Sequence, residues 1–322
     1  MTYPTYERER ILNPTEEDIR EVIKEAYYNG KDKTHLGNLA HYIPELTKRD
    51  PDAFGICRMD REGKLIEFGE TETRFSMQSV SKVVNLALAL KYKGAKEVFN
   101  HVGMEPSGDA FNSIIKLEAK SDLPYNPMIN VGAIQVCSLL ANEFEFEEVL
   151  DFAKILCKDD GITLNEDVYE SEQGTGDRNR AMAYLLKSKG VLQADPEKTL
   201  ELYFKMCSIN VNARSLAGLG LIISNNGEDP ITGKHYLHPE YVRILKSIMF
   251  TCGLYDASGE FGVKIGMPAK SGVGGGVVCA TKGPAGIGIY GPALDQYGNS
   301  IAGVAALEHI SYRLHLHVFD FV

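Results

Sequence analysis

Ser79 and Lys82 stand three residues apart in Gln78-Ser79-Val80-Ser81-Lys82, at the entrance of an apolar stretch that Gly94 closes. In a helix that spacing puts both side chains on one face. A serine hydroxyl is a poor nucleophile until a neighbour accepts its proton, and a lysine accepts one only when desolvation lowers its pKa toward neutrality. The flanking Val83, Val84, Leu86 and Leu88 are surroundings of that kind. A helix N-terminus adds its dipole and free backbone N–H groups, which suit a developing oxyanion. The chemistry expected of such a pair is acyl transfer through serine. Taken alone, Ser-x-x-Lys also describes a capping serine beside an exposed lysine.

A second element lies far down the chain. Lys270-Ser271-Gly272-Val273-Gly274-Gly275-Gly276 leads into an expected strand and resembles the Lys-Thr-Gly strand of penicillin-binding proteins and β-lactamases. Its glycines let backbone approach a substrate closely, so the Val273 N–H can complete an oxyanion hole; the plainer reading is a flexible turn. The middle motif of that superfamily is not matched. Ser121-Asp122 is followed by Leu123 instead of Asn, and the Tyr-x-Asn matches, Tyr27 to Asn29 and Tyr297 to Asn299, fall outside the interval. In its place stands Gly253-Leu254-Tyr255-Asp256-Ala257-Ser258-Gly259, whose tyrosine is either a proton relay or a buried structural ring.

From about residue 36 to 312 the chain resembles the glutaminase family. The blocks, in family order, are Tyr42-Ile43-Pro44-Glu45-Leu46, Gln78 to Lys82, Glu105-Pro106-Ser107-Gly108, Asn126-Pro127-Met128-Ile129-Asn130-Val131-Gly132-Ala133-Ile134, Ser171-Glu172 with Gly176-Asp177-Arg178-Asn179, Tyr203 with Cys207-Ser208, Tyr255-Asp256-x-Ser258-Gly259, and Pro268 to Val273. The resemblance implies hydrolysis of L-glutamine to L-glutamate and ammonia, with Ser79 as nucleophile, Lys82 as its activator and Tyr255 as proton relay. It implies an oxyanion hole from the Ser79 and Val273 N–H groups, and a glutamine pocket of Tyr42, Asn130, Glu172, Asn179 and Tyr203. Glu172 suits the α-ammonium; the asparagines and tyrosines can donate to the α-carboxylate. Singly, Asn130 reads as a helix N-cap, Glu172 and Asn179 as loop or cap residues, and the two tyrosines as core aromatics. Val131 departs from the family, where Ala often follows the asparagine. The resemblance further implies no cofactor, and a homodimer or homotetramer.

Composition narrows the field. The 34 basic and 44 acidic residues give a formal charge of −10, which leaves no electrostatic footprint for nucleic acid or an anionic membrane surface. The stretch Val83 to Leu90 is too short and too interrupted to span a membrane, and Met1 to Arg10 lacks the apolar core of an export signal. Six scattered cysteines without Cys-x-x-Cys read as free thiols of a cytoplasmic protein, and eight histidines without metal-binding spacing call for no metal. Gly286-Ile287-Gly288-Ile289-Tyr290-Gly291 satisfies Gly-x-Gly-x-x-Gly, but Pro292 follows instead of a helix, so these are expected to be strand glycines. The run Glu143 to Glu148 reads as solvated charge. Two other readings remain on these residues: a β-lactamase or transpeptidase, and a catalytically silent ligand-binding or filament-forming module.

The elements that must position these groups follow from periodicity. Residues 14 to 28 read as an opening helix with an acidic first turn, and Phe54 to Met59 and Leu65 to Phe68 as a hairpin about Asp60-Arg61-Glu62-Gly63. Strands recur at Gly276 to Ala280 and Ile287 to Tyr290, followed by the run Ser300 to Val304 and a helix from Ala305 to Leu316. Helices are expected at Ser79 to Lys93, Asn130 to Asn142, Glu147 to Cys157, Arg178 to Ser188, Pro196 to Cys207, Ala213 to Asn225 and Pro239 to Thr251. The implied fold is α+β, like β-lactamases and transpeptidases, in one domain over 1–322. Its antiparallel sheet lobe comes from about 30–75 and 265–322, and its helical lobe from about 76–264.

Overall fold

A computed structural model describes residues 10–107 and 123–320. Ser121-Asp122, Gly108 and residues 1–9 of the N-terminal segment lie outside them. The fold is α+β with antiparallel sheets. Helix α1 (Glu16–Lys31) opens it, capped by Thr15 in a reciprocal box with Asp18. Strands β1 (Gly55–Asp60) and β2 (Leu65–Gly69) form the expected hairpin. From the other end come β6 (Ala269–Ser271), β7 (Gly276–Ala280) and β8 (Ala285–Tyr290), giving the order β2-β1-β8-β7-β6.

Alternation along the strands separates two cores. Ile56, Val277, Cys279, Ile287 and Ile289 face α1 and α11 (Ile301–Arg313), where Val22, Ile23, Ala26, Ala306 and Ile310 meet them. Cys57, Val278 and Ala280 join the larger cluster on the opposite side, which holds α2 (Ser81–His101) and α8 (Ala213–Ser224). Every residue of α8 but Arg214 is buried, each large apolar side chain contributing about 1.5–3 kcal/mol. Gly286 and Gly288 make this contact possible: a Cβ at 286 would stand 2.0 Å from the Ala217 carbonyl oxygen, and one at 288 only 1.9 Å from that of Ala213. The Gly-x-Gly pattern therefore belongs to a strand on which a helix backbone rests.

The remaining helices are α3 (Asn130–Leu140), α4 (Phe146–Cys157), α5 (Glu166–Gly174), α6 (Asp177–Ser188), α7 (Pro196–Cys207), α9 (Pro239–Cys252) and α10 (Ser258–Lys264). Several details depart from expectation. The run Ser300 to Val304 belongs to α11, because Ser300 caps that helix by accepting from the Gly303 N–H. The expected helix thus begins earlier, at Ile301. Gly94 (φ 78°) breaks α2, and a further helical segment continues to His101. Helices α5 and α10 were not expected. Nor was a second sheet, β3 (Phe75–Ser76), β5 (Ile209–Val211) and β4 (Thr163–Leu164), inside the region read as helical. Among the described residues no helix is long and apolar enough to cross a membrane.

Candidate active site

The unexpected small sheet presents the nucleophile. Ser76 pairs with Asn210 and the Met77 N–H donates to the Ile209 carbonyl at 2.9 Å. The chain then passes through Gln78, whose φ of 50° is strained for a residue with a side chain, into a tight turn over Gln78–Val80 and on into α2. Ser79 sits in that turn, two residues ahead of the first residue of α2, and is buried. The β6–β7 connection closes against it from the other side. A Cβ at Gly272 would stand 3.2 Å from the Ser79 nitrogen and 2.9 Å from the Met77 carbonyl oxygen, an approach that favours glycine. Among the described residues neither the Ser79 nor the Val273 N–H donates to a protein acceptor.

Lys82 is fully buried on the first turn of α2. Its Nζ donates to Asn130 Oδ1 at 2.7 Å and to the Met128 carbonyl at 3.2 Å. The Asn126 side chain shapes this loop by accepting the Met128 and Ile129 N–H groups. Asn130 is the first residue of α3 and not its N-cap; its amide holds Asn179 Oδ1 at 3.2 Å. Burial pushes the Lys82 pKa down to about 8, against the opposing pull of Cys207 and Glu172.

Glu172, on α5, is pushed up to about 7 by burial, while a hydrogen bond with the Gln78 side chain and the charge of Lys82 act the other way. Tyr203, on α7, is buried and its phenol is raised well above its ordinary value by burial and by Cys207 and Glu172. Tyr42 is 55% exposed as a residue, yet its phenol feels Tyr255, Glu172 and Cys207 closely enough to be raised in the same way, burial leading. Its neighbour Ile43 packs with Val273, which places Tyr42 at the rim of the same site. Tyr255 (φ 55°) donates its phenol proton to the Ser271 carbonyl at 3.3 Å. Burial raises its pKa, and the phenol lies close enough to the Ser79 hydroxyl for that group to act the other way.

All nine residues singled out in the sequence are thus gathered: Ser79 with Tyr255, Lys82 with Asn130 and Asn179, Glu172, Tyr42 and Tyr203 around them, and Val273 beside the turn. Three neighbours had no role assigned. Gln78 acts on the Glu172 carboxyl, lowering its pKa against the effect of burial; Cys207, its thiol pushed up to about 12 by burial, contacts Ser81 Oγ at 3.9 Å; Lys270 lies under Tyr255. A cleft of about 260 Å³ opens beside Tyr255, lined in part by Asn126, Met128, Ile129 and Cys252; it adjoins this set without including Ser79.

A glutaminase family profile matches residues 37–319. The chain belongs to the glutaminase family. It is similar to the glutaminase of Clostridioides difficile, 49% identical over 92% of this chain and 98% of that one, and to glutaminase 2 of Clostridium perfringens, 47% identical over 94% and 100%. Among solved structures, the Bacillus subtilis glutaminase in covalent complex with 5-oxo-L-norleucine superposes with a TM-score of 0.83, at 34% identity over 94% of this chain and 98% of that chain. The protein is therefore an enzyme, a glutaminase that hydrolyses glutamine to glutamate and ammonia. The assembled set spans most of the length matched by the glutaminase profile, from Tyr42 to Val273.

Proposed function

We propose that this glutaminase works through an acyl-enzyme on Ser79. The observation that carries this reading is the environment of Lys82: dry, with a pKa near 8, and with two N–H bonds directed to Asn130 and Met128. A neutral amine so tied keeps its lone pair as a proton acceptor for the serine three residues before it. Ser79 Oγ attacks the side-chain carbonyl of glutamine, and the Ser79 and Val273 N–H groups hold the oxyanion. The C–N bond breaks as Tyr255 passes a proton to the leaving ammonia. Water then adds to the ester and gives its proton to the Tyr255 phenolate, glutamate leaves, and Ser79 recovers its own proton from Lys82. Glu172 takes the α-ammonium of the substrate; Tyr42, Asn130, Asn179 and Tyr203 serve its α-carboxylate. Covalent capture of the Bacillus subtilis relative supports the acyl-enzyme.

The same reading divides the chain into a sheet lobe from both ends and a helical lobe between, assembled as a homodimer or homotetramer. Six buried free thiols support a cytoplasmic setting. The reading is tested by coupled glutamate detection with glutamine, asparagine and the β-lactam nitrocefin offered in parallel to the wild type and Ser79→Ala. Turnover of glutamine, lost in the variant while its circular dichroism is unchanged, is expected. Full activity in the variant, or a preference for the β-lactam, overturns it.

A further inference from the structure

Lys270 is fully buried, and no step above uses it. Its Nζ donates to the Gly253 carbonyl at 2.9 Å and to the Ser271 carbonyl at 2.5 Å. It also stands 4.2 Å from the centre of the Tyr255 ring, so the amine packs against the ring face. The Ser271 carbonyl is shared, since the Tyr255 hydroxyl donates to it as well, at 3.3 Å. The shorter bond is the lysine's.

The lysine also joins two segments. The Gly253 carbonyl accepts from the Ser271 N–H at 3.3 Å in addition to Lys270, so β6 is fastened to the residues that lead into Tyr255. On its other side Tyr255 is held by Ser258, whose Oγ donates to the Tyr255 carbonyl at 2.8 Å. Gly298 approaches the ring itself, where a Cβ would meet Tyr255 Cε2 at 3.6 Å. Burying an amine is unfavourable, and burial together with Lys82 pushes the Lys270 pKa well down. An apolar side chain of similar length would fill the space without that penalty, but it would offer nothing to the two carbonyls.

We propose that Lys270 is a positioning residue for Tyr255: by fastening Gly253 to β6 through its two carbonyl bonds and packing under the ring, it fixes the phenol within reach of Ser79 and the departing ammonia. The inference rests on the assignment of Tyr255 as proton relay. Without the lysine the ring loses its support and the tie to Gly253, the phenol is held less closely against Ser79, and proton transfer slows. The groups assigned to substrate binding, Glu172 and Asn179, are untouched, so the loss falls on kcat and not on KM.

The test compares Lys270→Met, Lys270→Gln, Tyr255→Phe and the double variant Lys270→Met/Tyr255→Phe, each checked for folding by thermal unfolding and assayed for kcat and KM. Lys270→Met is expected to lower kcat roughly 10- to 100-fold with KM changed by no more than about twofold. Lys270→Gln, which keeps N–H donors for the carbonyls, recovers most of that loss. In the Tyr255→Phe background Lys270→Met changes the residual kcat by no more than about twofold, because the two act as one unit. Wild-type kcat in Lys270→Met, a matching rise in KM, no recovery in Lys270→Gln, or additive losses in the double variant overturn the proposal. Failure of both lysine variants to fold overturns it too, by making Lys270 a structural fastening. Undiminished kcat in Tyr255→Phe alone separately defeats the relay assignment.

Discussion

Lys82 Nζ and Asn130 Oδ1 lie 2.7 Å apart, so the first turn of α2 is tied to the first residue of α3 through the amine proposed to activate Ser79. That one bond couples proton acceptance to the pocket, because the same asparagine holds Asn179 with its amide.

Replacing Asn130 by Ala leaves a buried amine short of an acceptor, at a cost of about 1–3 kcal/mol. We expect kcat/KM for glutamine to fall about 10- to 100-fold, with losses in both kcat and KM, since activator and pocket are disturbed together. Steady-state kinetics check this; a change confined to KM would show that Lys82 does not depend on Asn130.

The dependence on pH follows from two groups in the free enzyme. Lys82 acts as a base only when neutral, and its pKa of about 8 makes that fraction rise with pH through about 8. Glu172, raised to about 7, must be ionised to hold an ammonium, so its contribution also rises with pH, through about 7. A kcat/KM profile should therefore climb with a slope approaching two below about pH 7, approach one between the two values, and level off above. Glu172→Gln should leave only the limb near 8, with weaker substrate binding. On stability the two groups differ in sign. The raised Glu172 binds its proton more tightly folded than unfolded, so its contribution is present below 4.5 and lost as pH rises through about 7. The depressed Lys82 penalises the folded state below about 8, and relief comes between there and 10.5.

Adding one methyl at Gly272 probes the contact between the β6–β7 connection and the nucleophile turn. The new Cβ would meet backbone at 2.9 Å and 3.2 Å, neither of which is a flexible side-chain end. Gly272→Ala is expected to lose about 1–3 kcal/mol of stability through overpacking, and kcat about tenfold or more as Ser79 moves against Val273. Thermal unfolding and kcat measured together decide it; unchanged values for both would mean that the two segments are not in register.

Much of this site was legible before the structure, and the reasons are particular. Ser79 and Lys82 are three apart on a strongly apolar helix, so one face carries both; Lys270-Ser271-Gly272 announces itself through glycines that only close backbone approach requires. The small sheet was hidden because β3 and β4 have two residues each and β5 three, too few to show alternation. Helix α5 was hidden by polarity: of its residues only Val168 and Glu172 are buried, so no apolar stripe marks the element that carries Glu172. Cys207 gives no local sign of what it touches, since it meets Ser81 across 126 residues, and the motif around Lys270 does not reveal that the amine reaches the Gly253 carbonyl and lies under the Tyr255 ring. The early start of α11 is a capping effect, Ser300 starting the helix at Ile301, four residues before the Ala305 from which the periodicity suggests it.

The central claim is that Ser79 forms the covalent bond to substrate carbon. Incubating the enzyme with 6-diazo-5-oxo-L-norleucine, then mapping the adduct by peptide mass spectrometry, tests it most directly. The account predicts one 5-oxo-L-norleucine adduct per chain, on Ser79, with none in Ser79→Ala. An adduct on any other residue, or a Ser79→Ala enzyme that is labelled and still turns over glutamine, would contradict it.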